Sequence, residues 1–215
     1  MTRAPFTREA PDVRRTALIE AAARVLAAKG VAGASVRTIC AEAGVSAGLL
    51  RHYFDGVGAL IAAAYEATGA LIDAALEAAV AAAGDDPRAR LSAYLTASFA
   101  PPVLDPQMLA TWLAFWSLVK VDDAIGAIHR RTYAGYRARL EELLTACDPA
   151  VDARLAAIGL TAVVDGLWLE LCLDETVFTP AEAGAIAERL LAGYLSQNPL
   201  PEGRGRGPTA QRLGG

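Results

Sequence analysis

The chain is predicted to be all-α, with about nine helices, and three observations carry that prediction. Hydrophobic residues make up 54 % of the 215 positions while aromatics make up only 7 %; much of the remainder is Ala, the strongest helix former. Apolar residues recur at helical spacing, whereas strand-like alternation of Val, Ile and Thr is nearly absent. Helix boundaries are marked along the chain by Ser, Asp-Pro, Thr-Pro-x-Glu and Gly. A chain of this length can bury a sizeable core in one or two domains.

Residues 1–11 read as a flexible arm, polar and without the pattern of a signal peptide. Arg3 and Arg8 give it two readings, a minor-groove or phosphate contact, or plain disorder. Asp12 is placed to cap a first helix running from Val13 to Lys29, with Leu18, Ala22, Val25 and Leu26 on one side and Gly30 at its end. Arg14 and Arg15 fall in its first turn, where a cation opposes the helix dipole; that placement suits phosphate contact better than helix stability.

The stretch Ser35 to Phe54, SVRTICAEAGVSAGLLRHYF, organises the rest. Ile39 and Ala43 lie four apart and Leu50 and Tyr53 three apart, so two short helices each have one inward face. Gly44 ends the first in the left-handed conformation, Val45 plugs the corner, and Ser46 caps the second. Cys40 and Gly48 are small where the two helices cross. The pattern is a helix-turn-helix whose second helix enters a DNA major groove. Ser46, Ala47 and Gly48 stand at the end that approaches base edges, Ala47 offering a methyl to thymine and Gly48 a close backbone. Arg51 either reads guanine or holds a phosphate. Arg37 and Thr38 face the phosphate wall, and Leu50 and Phe54 are core.

Together with the flanking helices, these residues resemble the tetracycline-repressor (TetR) family of one-component regulators. The resemblance implies that His52 and Tyr53 grip the DNA backbone and that residues 12–56 form the DNA-binding domain. It also implies a pseudo-palindromic double-stranded operator read by a homodimer. One departure stands out. The family usually has a Lys soon after the Tyr-Phe pair, and here Asp55-Gly56-Val57-Gly58 puts Val57 in its place. The helix start still offers N–H groups to an anion, but the missing cation predicts weaker or dimer-dependent binding.

A helix from Val57 to Ala83 follows, a rod of about 40 Å at 1.5 Å per residue. Residues 57–198 then form a ligand-binding and dimerisation domain. Pro87 to Ala100 is one helix, stopped by Pro101-Pro102; Asp105-Pro106 opens another to Val119; Asp122 or Asp123 opens a third to Ala146. Asp148-Pro149 opens an apolar helix from Val151 to Leu173, and Thr179-Pro180-Ala181-Glu182 is a capping box leading to Tyr194. Residues 199–215 are Gly/Pro/Arg-rich and read as a disordered tail.

Two body segments carry functional information. Trp112, Phe115 and Trp116 occupy i, i+3 and i+4, with Tyr133 and Tyr136 on the next helix and Trp168 on the one after. Aromatic walls with a nearby carboxylate hold quaternary ammonium ions; the alternative is ordinary core. Asp165 interrupts an apolar helix, and a buried carboxylate needs a partner, either structural or a cationic ligand. Ala156, Gly159 and Gly166 suggest close helix packing, and the last two helices suit a four-helix dimer interface. Thr111 to Trp116 and Asp165 to Leu169 are similar to the BetI-like branch of the family, choline-responsive repressors of glycine betaine synthesis. That similarity implies a small effector, choline or another cation, bound by Trp112, Phe115, Trp116, Tyr133, Asp165 and Trp168.

The net charge of −4 divides unevenly. Residues 1–53 hold eight basic against four acidic side chains, and the remainder twelve against twenty. A basic head on an acidic body fits DNA binding, which depends on the local field. Three scattered cysteines predict reduced thiols and a cytoplasmic protein, and no uncharged run reaches the ~20 residues of a membrane span. With two histidines, no zinc spacing and no Ser-His-Asp set, no catalytic residue, cofactor or metal is expected. The glycine pairs follow no strand and are not nucleotide loops. His129, beside Arg130-Arg131, reads as a solvated helix face. The rival function is an architectural DNA-binding protein whose body serves only to dimerise.

Overall fold

The computed structural model describes residues 11–196, which form nine α-helices and one 3₁₀ turn without a strand among them. The arm (except Pro11) and the tail proposed for residues 199–215 lie outside the described residues. In chain order the helices are α1 (Pro11–Gly33), α2 (Val36–Ala43), α3 (Ala47–Tyr53), α4 (Gly56–Ala82) and α5 (Pro87–Thr96), continued by the 3₁₀ turn Ala97–Phe99. Then follow α6 (Pro106–Leu118), α7 (Asp123–Cys147), α8 (Ala153–Leu173) and α9 (Pro180–Ser196).

Side-chain caps set most of the starts. Ser35, Ser46, Asp86, Asp105, Asp122 and Asp152 each accept a hydrogen bond from the first turn of the helix that follows. At α9 the capping box closes both ways: Thr179 N–H donates to Glu182 and Glu182 N–H donates to Thr179 Oγ1. Two boundaries differ from expectation. Asp148 ends α7 rather than opening α8, whose cap is Asp152, because Asp152 reaches the Leu155 N–H at 3.0 Å. The first helix starts at Pro11, so Asp12 lies inside it, and it bends at Gly30 (φ 61°) before a last turn to Gly33.

The reading head is α1 to α3. Gly44 takes φ 66° between α2 and α3 and sends its N–H back to α2, a conformation that a side chain with a Cβ disfavours. Ile39, Cys40, Leu50 and Phe54 close a shared core with Leu18, Ala22, Val25 and Leu26 of α1. Gly48 is exposed, and a Cβ there would meet only the Ser46 hydroxyl at 3.7 Å, so helix crossing does not demand glycine at this position.

Two helices, not one, tie the head to the body. α4 leaves the head directly, burying Leu60, Ile61, Ala64 and Tyr65. α6 returns from the body to lie along α1, where buried Thr111 donates its hydroxyl to the Ala23 carbonyl at 3.2 Å. That second link joins residues 88 apart in the chain and has no signature in local sequence.

α4 and α8 are long and apolar enough to span a bilayer. Both carry carboxylates along their length (Glu66, Asp73 and Glu77; Asp165 and Glu170) and pack their apolar faces onto neighbouring helices. Of the small residues on α8, Ala156 is buried and Gly159 lies under the Tyr194 ring, where a Cβ would collide. Gly166 departs from expectation: it is exposed with open space around it.

Candidate functional site

On the head, the candidate DNA-facing residues separate by what their side chains are already doing. Arg15, Arg37, Ala47, Gly48, Arg51 and His52 are exposed or half-buried on the outer surface of α1 to α3, and Arg14 is half-buried. Arg15 lies over the Phe54 ring at 5.2 Å, which fixes its stem at the end of α3. The His52 and Tyr53 rings meet edge to face at 4.9 Å. Ser46 spends an acceptor on the Leu49 N–H, so it positions α3 as its cap. Thr38 also has a structural task. Its hydroxyl donates within reach of the Gly33 carbonyl at 2.7 Å and accepts from the Ser35 N–H at 2.9 Å, completing a capping box at the start of α2. Val57 is half-buried against the core, so the family's cation is replaced by a packed side chain.

In the body, a cavity of about 310 Å³ opens between α4, α6, α7 and α8. Trp112, Tyr133, Tyr136 and Trp168 form its aromatic walls, and Asp165 and Asp73 supply carboxylates. Tyr133 is the hub. Its hydroxyl accepts from the indole N–H of Trp112 at 3.3 Å and of Trp116 at 3.0 Å, and donates to Asp165 Oδ1 at 3.0 Å. Trp168 donates to the Ser98 carbonyl at 2.9 Å and stands edge to face against Trp112, with ring centres 6.2 Å apart. Every indole N–H is therefore satisfied by a protein acceptor.

Asp165 finds its partner in Tyr133, and among the described residues no arginine bonds to it. One neutral hydroxyl does not repay the loss of water around a carboxylate, so burial pushes its pKa up to about 6 against the opposing pull of Tyr133 and Arg137. The same burial, and the carboxylate beside it, hold the Tyr133 hydroxyl fully protonated. Asp165 thus stands as a weakly compensated negative charge among aromatic rings, the arrangement that attracts a soft cation.

Two expected wall residues lie elsewhere. Phe115 is fully buried and stacked on Tyr65 of α4, ring centres 4.4 Å apart and nearly parallel. It is core, because the i+3 position turns toward α4 rather than toward α8. Trp116 faces a second, more open recess with His129 and Arg137, which Tyr133 and Asp165 also line from their far side, and its indole N–H reaches the cavity's Tyr133 hydroxyl. His129 also departs from the solvated reading. Its Nδ1 bonds the Tyr65 hydroxyl at 3.0 Å and its ring packs on Tyr133 at 4.2 Å, so it braces α7 against α4. Burial first, then Arg137, Arg130 and Lys120, lower its pKa and keep it neutral.

Comparison with known proteins places both halves. Residues 18–64 match the family described as bacterial regulatory proteins, tetR family, and residues 87–196 match the BetI-type transcriptional repressor, C-terminal family. The HTH-type transcriptional regulator BetI of Burkholderia thailandensis is 34 % identical over 162 residues, covering 74 % of this chain and 81 % of that protein. A solved transcriptional regulator from Pseudomonas aeruginosa PAO1 is 44 % identical with a TM-score of 0.81, covering 89 % of this chain and 95 % of the other. A regulator from Saccharomonospora viridis, solved in complex with choline, shares the fold at 18 % identity with a TM-score of 0.75, covering 84 % and 96 %. The chain belongs to the TetR family of transcriptional regulators, with a helix-turn-helix DNA-binding segment followed by a BetI-type repressor carboxy-terminal domain.

Proposed function

We propose that this repressor works in the cytoplasm as a homodimer on a pseudo-palindromic operator and is released from it by a small cation of the choline class. The observation that carries the reading is the cavity in which Tyr133 and Asp165 stand among Trp112 and Trp168. A body built only for dimerisation has no reason to leave an apolar cavity of 310 Å³ with a raised-pKa carboxylate in it. The choline bound by the S. viridis protein supports the same class of ligand. For dimerisation, Leu155 and Ile158 of α8 and Ile186 and Leu190 of α9 are 39–46 % exposed, an apolar set on the last two helices.

Occupancy of the cage has two routes to the head. Trp112 packs edge to face on Tyr65 of α4, ring centres 5.1 Å apart, and its chain neighbour Thr111 holds the Ala23 carbonyl of α1. Two heads docked in successive major grooves stand roughly 34–36 Å apart. A cation that prefers one setting of α4 and α6 changes that spacing, and only this preference moves the equilibrium.

The test is a gel shift on the region upstream of the protein's own gene. The retarded complex is expected to disappear on adding choline and to persist with an uncharged alcohol of similar size. A complex that forms and ignores every small cation removes the ligand reading while leaving the repressor in place. A second expectation concerns the position of the missing Lys. Val57→Lys should tighten operator binding by about threefold per subunit at 0.1–0.2 M salt and steepen the salt slope by about 0.9 for each added phosphate contact. Binding titrations at several salt concentrations check it; an unchanged slope means residue 57 does not face phosphate.

A further inference from the structure

The cavity holds more than a trimethylammonium cage. At about 310 Å³ it has room for roughly ten waters at ~30 Å³ each, more than a choline-sized cation fills. It also has a second carboxylate. Asp73 belongs to α4, across the cavity from α8, which carries Asp165; it is exposed at the rim and no ion pair involves it among the described residues. The cation at the same rim, Arg131, is committed to Glu66 at 2.7 Å, so Asp73 is the uncompensated charge at the opening.

A second observation on the wall is independent of charge. The hydroxyls of Tyr136, which lines the cavity, and of Tyr94, stacked on Tyr136 with ring centres 5.4 Å apart, are buried without a hydrogen-bond partner. The Ser98 side chain lies beside Tyr136 without completing a bond to it. Buried hydroxyls in native proteins nearly always bond to something, so the orphaned Tyr136 hydroxyl at the cavity wall, with that of Tyr94 behind it, marks a place for a polar group that protein does not provide.

We propose that the effector is an extended cation with two positive centres, one held in the Asp165–Trp112–Trp168 cage and the other at Asp73. This rests on the cationic-ligand reading above and adds the second pole. A chain joining the two centres runs past Tyr136 and spans from α8 to α4, so binding sets the position of the helix that leads to the head. A carboxylate-bearing zwitterion fits this cavity less well, because it would bring a negative group to a wall with two carboxylates, where the one lining arginine, Arg131, is paired with Glu66.

The three tryptophans of the chain are Trp112, Trp116 and Trp168, all in or beside the cage, so intrinsic fluorescence reads occupancy without a label. The full-length protein at 0.15 M salt, where exposed charges more than about 8 Å apart are largely screened, is titrated with choline. It is also titrated with alkyl-trimethylammonium ions and with bis-trimethylammonium alkanes of matched chain length. One length of the bis compounds is expected to bind at least tenfold tighter than its single-headed counterpart. Asp73→Asn should abolish that advantage, weakening the double-headed ion at least tenfold more than it weakens the single-headed one; Asp73 is exposed, so the variant folds. Equal binding of single- and double-headed ions at every length, or an equal loss for both in Asp73→Asn, overturns the second pole and leaves the cage standing. No binding by any cation overturns the cage reading together with this one.

Discussion

Asp165→Asn is expected to make the protein more stable and nearly blind to cations at once. The native fold raises the Asp165 pKa from 3.8 to about 6, chiefly by burial. The folded state therefore holds the Asp165 proton more tightly than the unfolded chain. Its stability cost is absent below about pH 3.8, grows as pH rises, and is complete above about 6. Asn keeps an acceptor for the Tyr133 hydroxyl and never ionises. At pH 7 the variant should gain about 1–3 kcal/mol, taking each pKa unit as about 1.4 kcal/mol, seen as a melting point higher by several degrees. Cation binding should weaken by at least about thirtyfold, since removing one member of a desolvated charge pair costs about 2 kcal/mol or more. In the wild type, affinity should fall about tenfold between pH 7.5 and 5 as the carboxylate protonates through its pKa near 6. That fall should vanish in the variant. Thermal melts and fluorescence titrations at the two pH values decide the matter; an Asn variant that is destabilised and binds normally would show that Asp165 is structural.

The second large effect is expected at Tyr65, where the head-to-body rod meets the core. Its side chain is fully buried, stacked on Phe115, edge-on to Trp112 and bonded to His129. Tyr65→Ala removes all of these and leaves a void, so it should cost about 3–5 kcal/mol, the range for truncating a buried aromatic. Tyr65→Phe keeps the ring contacts and loses only the bond to His129 Nδ1, a cost of about 1 kcal/mol. The two should melt well apart. Variants that melt together, close to the wild type, would mean that α4 is held by other contacts.

How much of this was legible in sequence follows from the range of the interaction concerned. The head was readable because its rules are local: Gly44 must turn, Ser46 must cap, and Ile39 and Leu50 must face inward within a few residues. The same locality made the capping box at Thr179–Glu182 plain. At Thr38 the sequence left the hydroxyl's partners open although they are local, because Ser35-x-x-Thr38 can bond its own helix start or face outward, and only the rotamer decides. At Trp112, Phe115 and Trp116, helical spacing put three aromatics on one side, yet a face some 100° wide meets more than one neighbour. Trp112 turns to the cavity, Phe115 to α4 and Trp116 to the recess beside His129.

By itself, then, the order of residues determined the helices, most of their caps, the helix-turn-helix and the oddity of an acid at Asp165, all consequences of forces acting over one or two turns. Only the tertiary structure decided that Tyr133 joins two indoles to that acid, that His129 bonds Tyr65, and that Thr111 reaches Ala23. These contacts join residues 17 to 88 positions apart. They depend on how whole helices rotate and cross when they bury their apolar faces, and nothing in the neighbouring sequence specifies that.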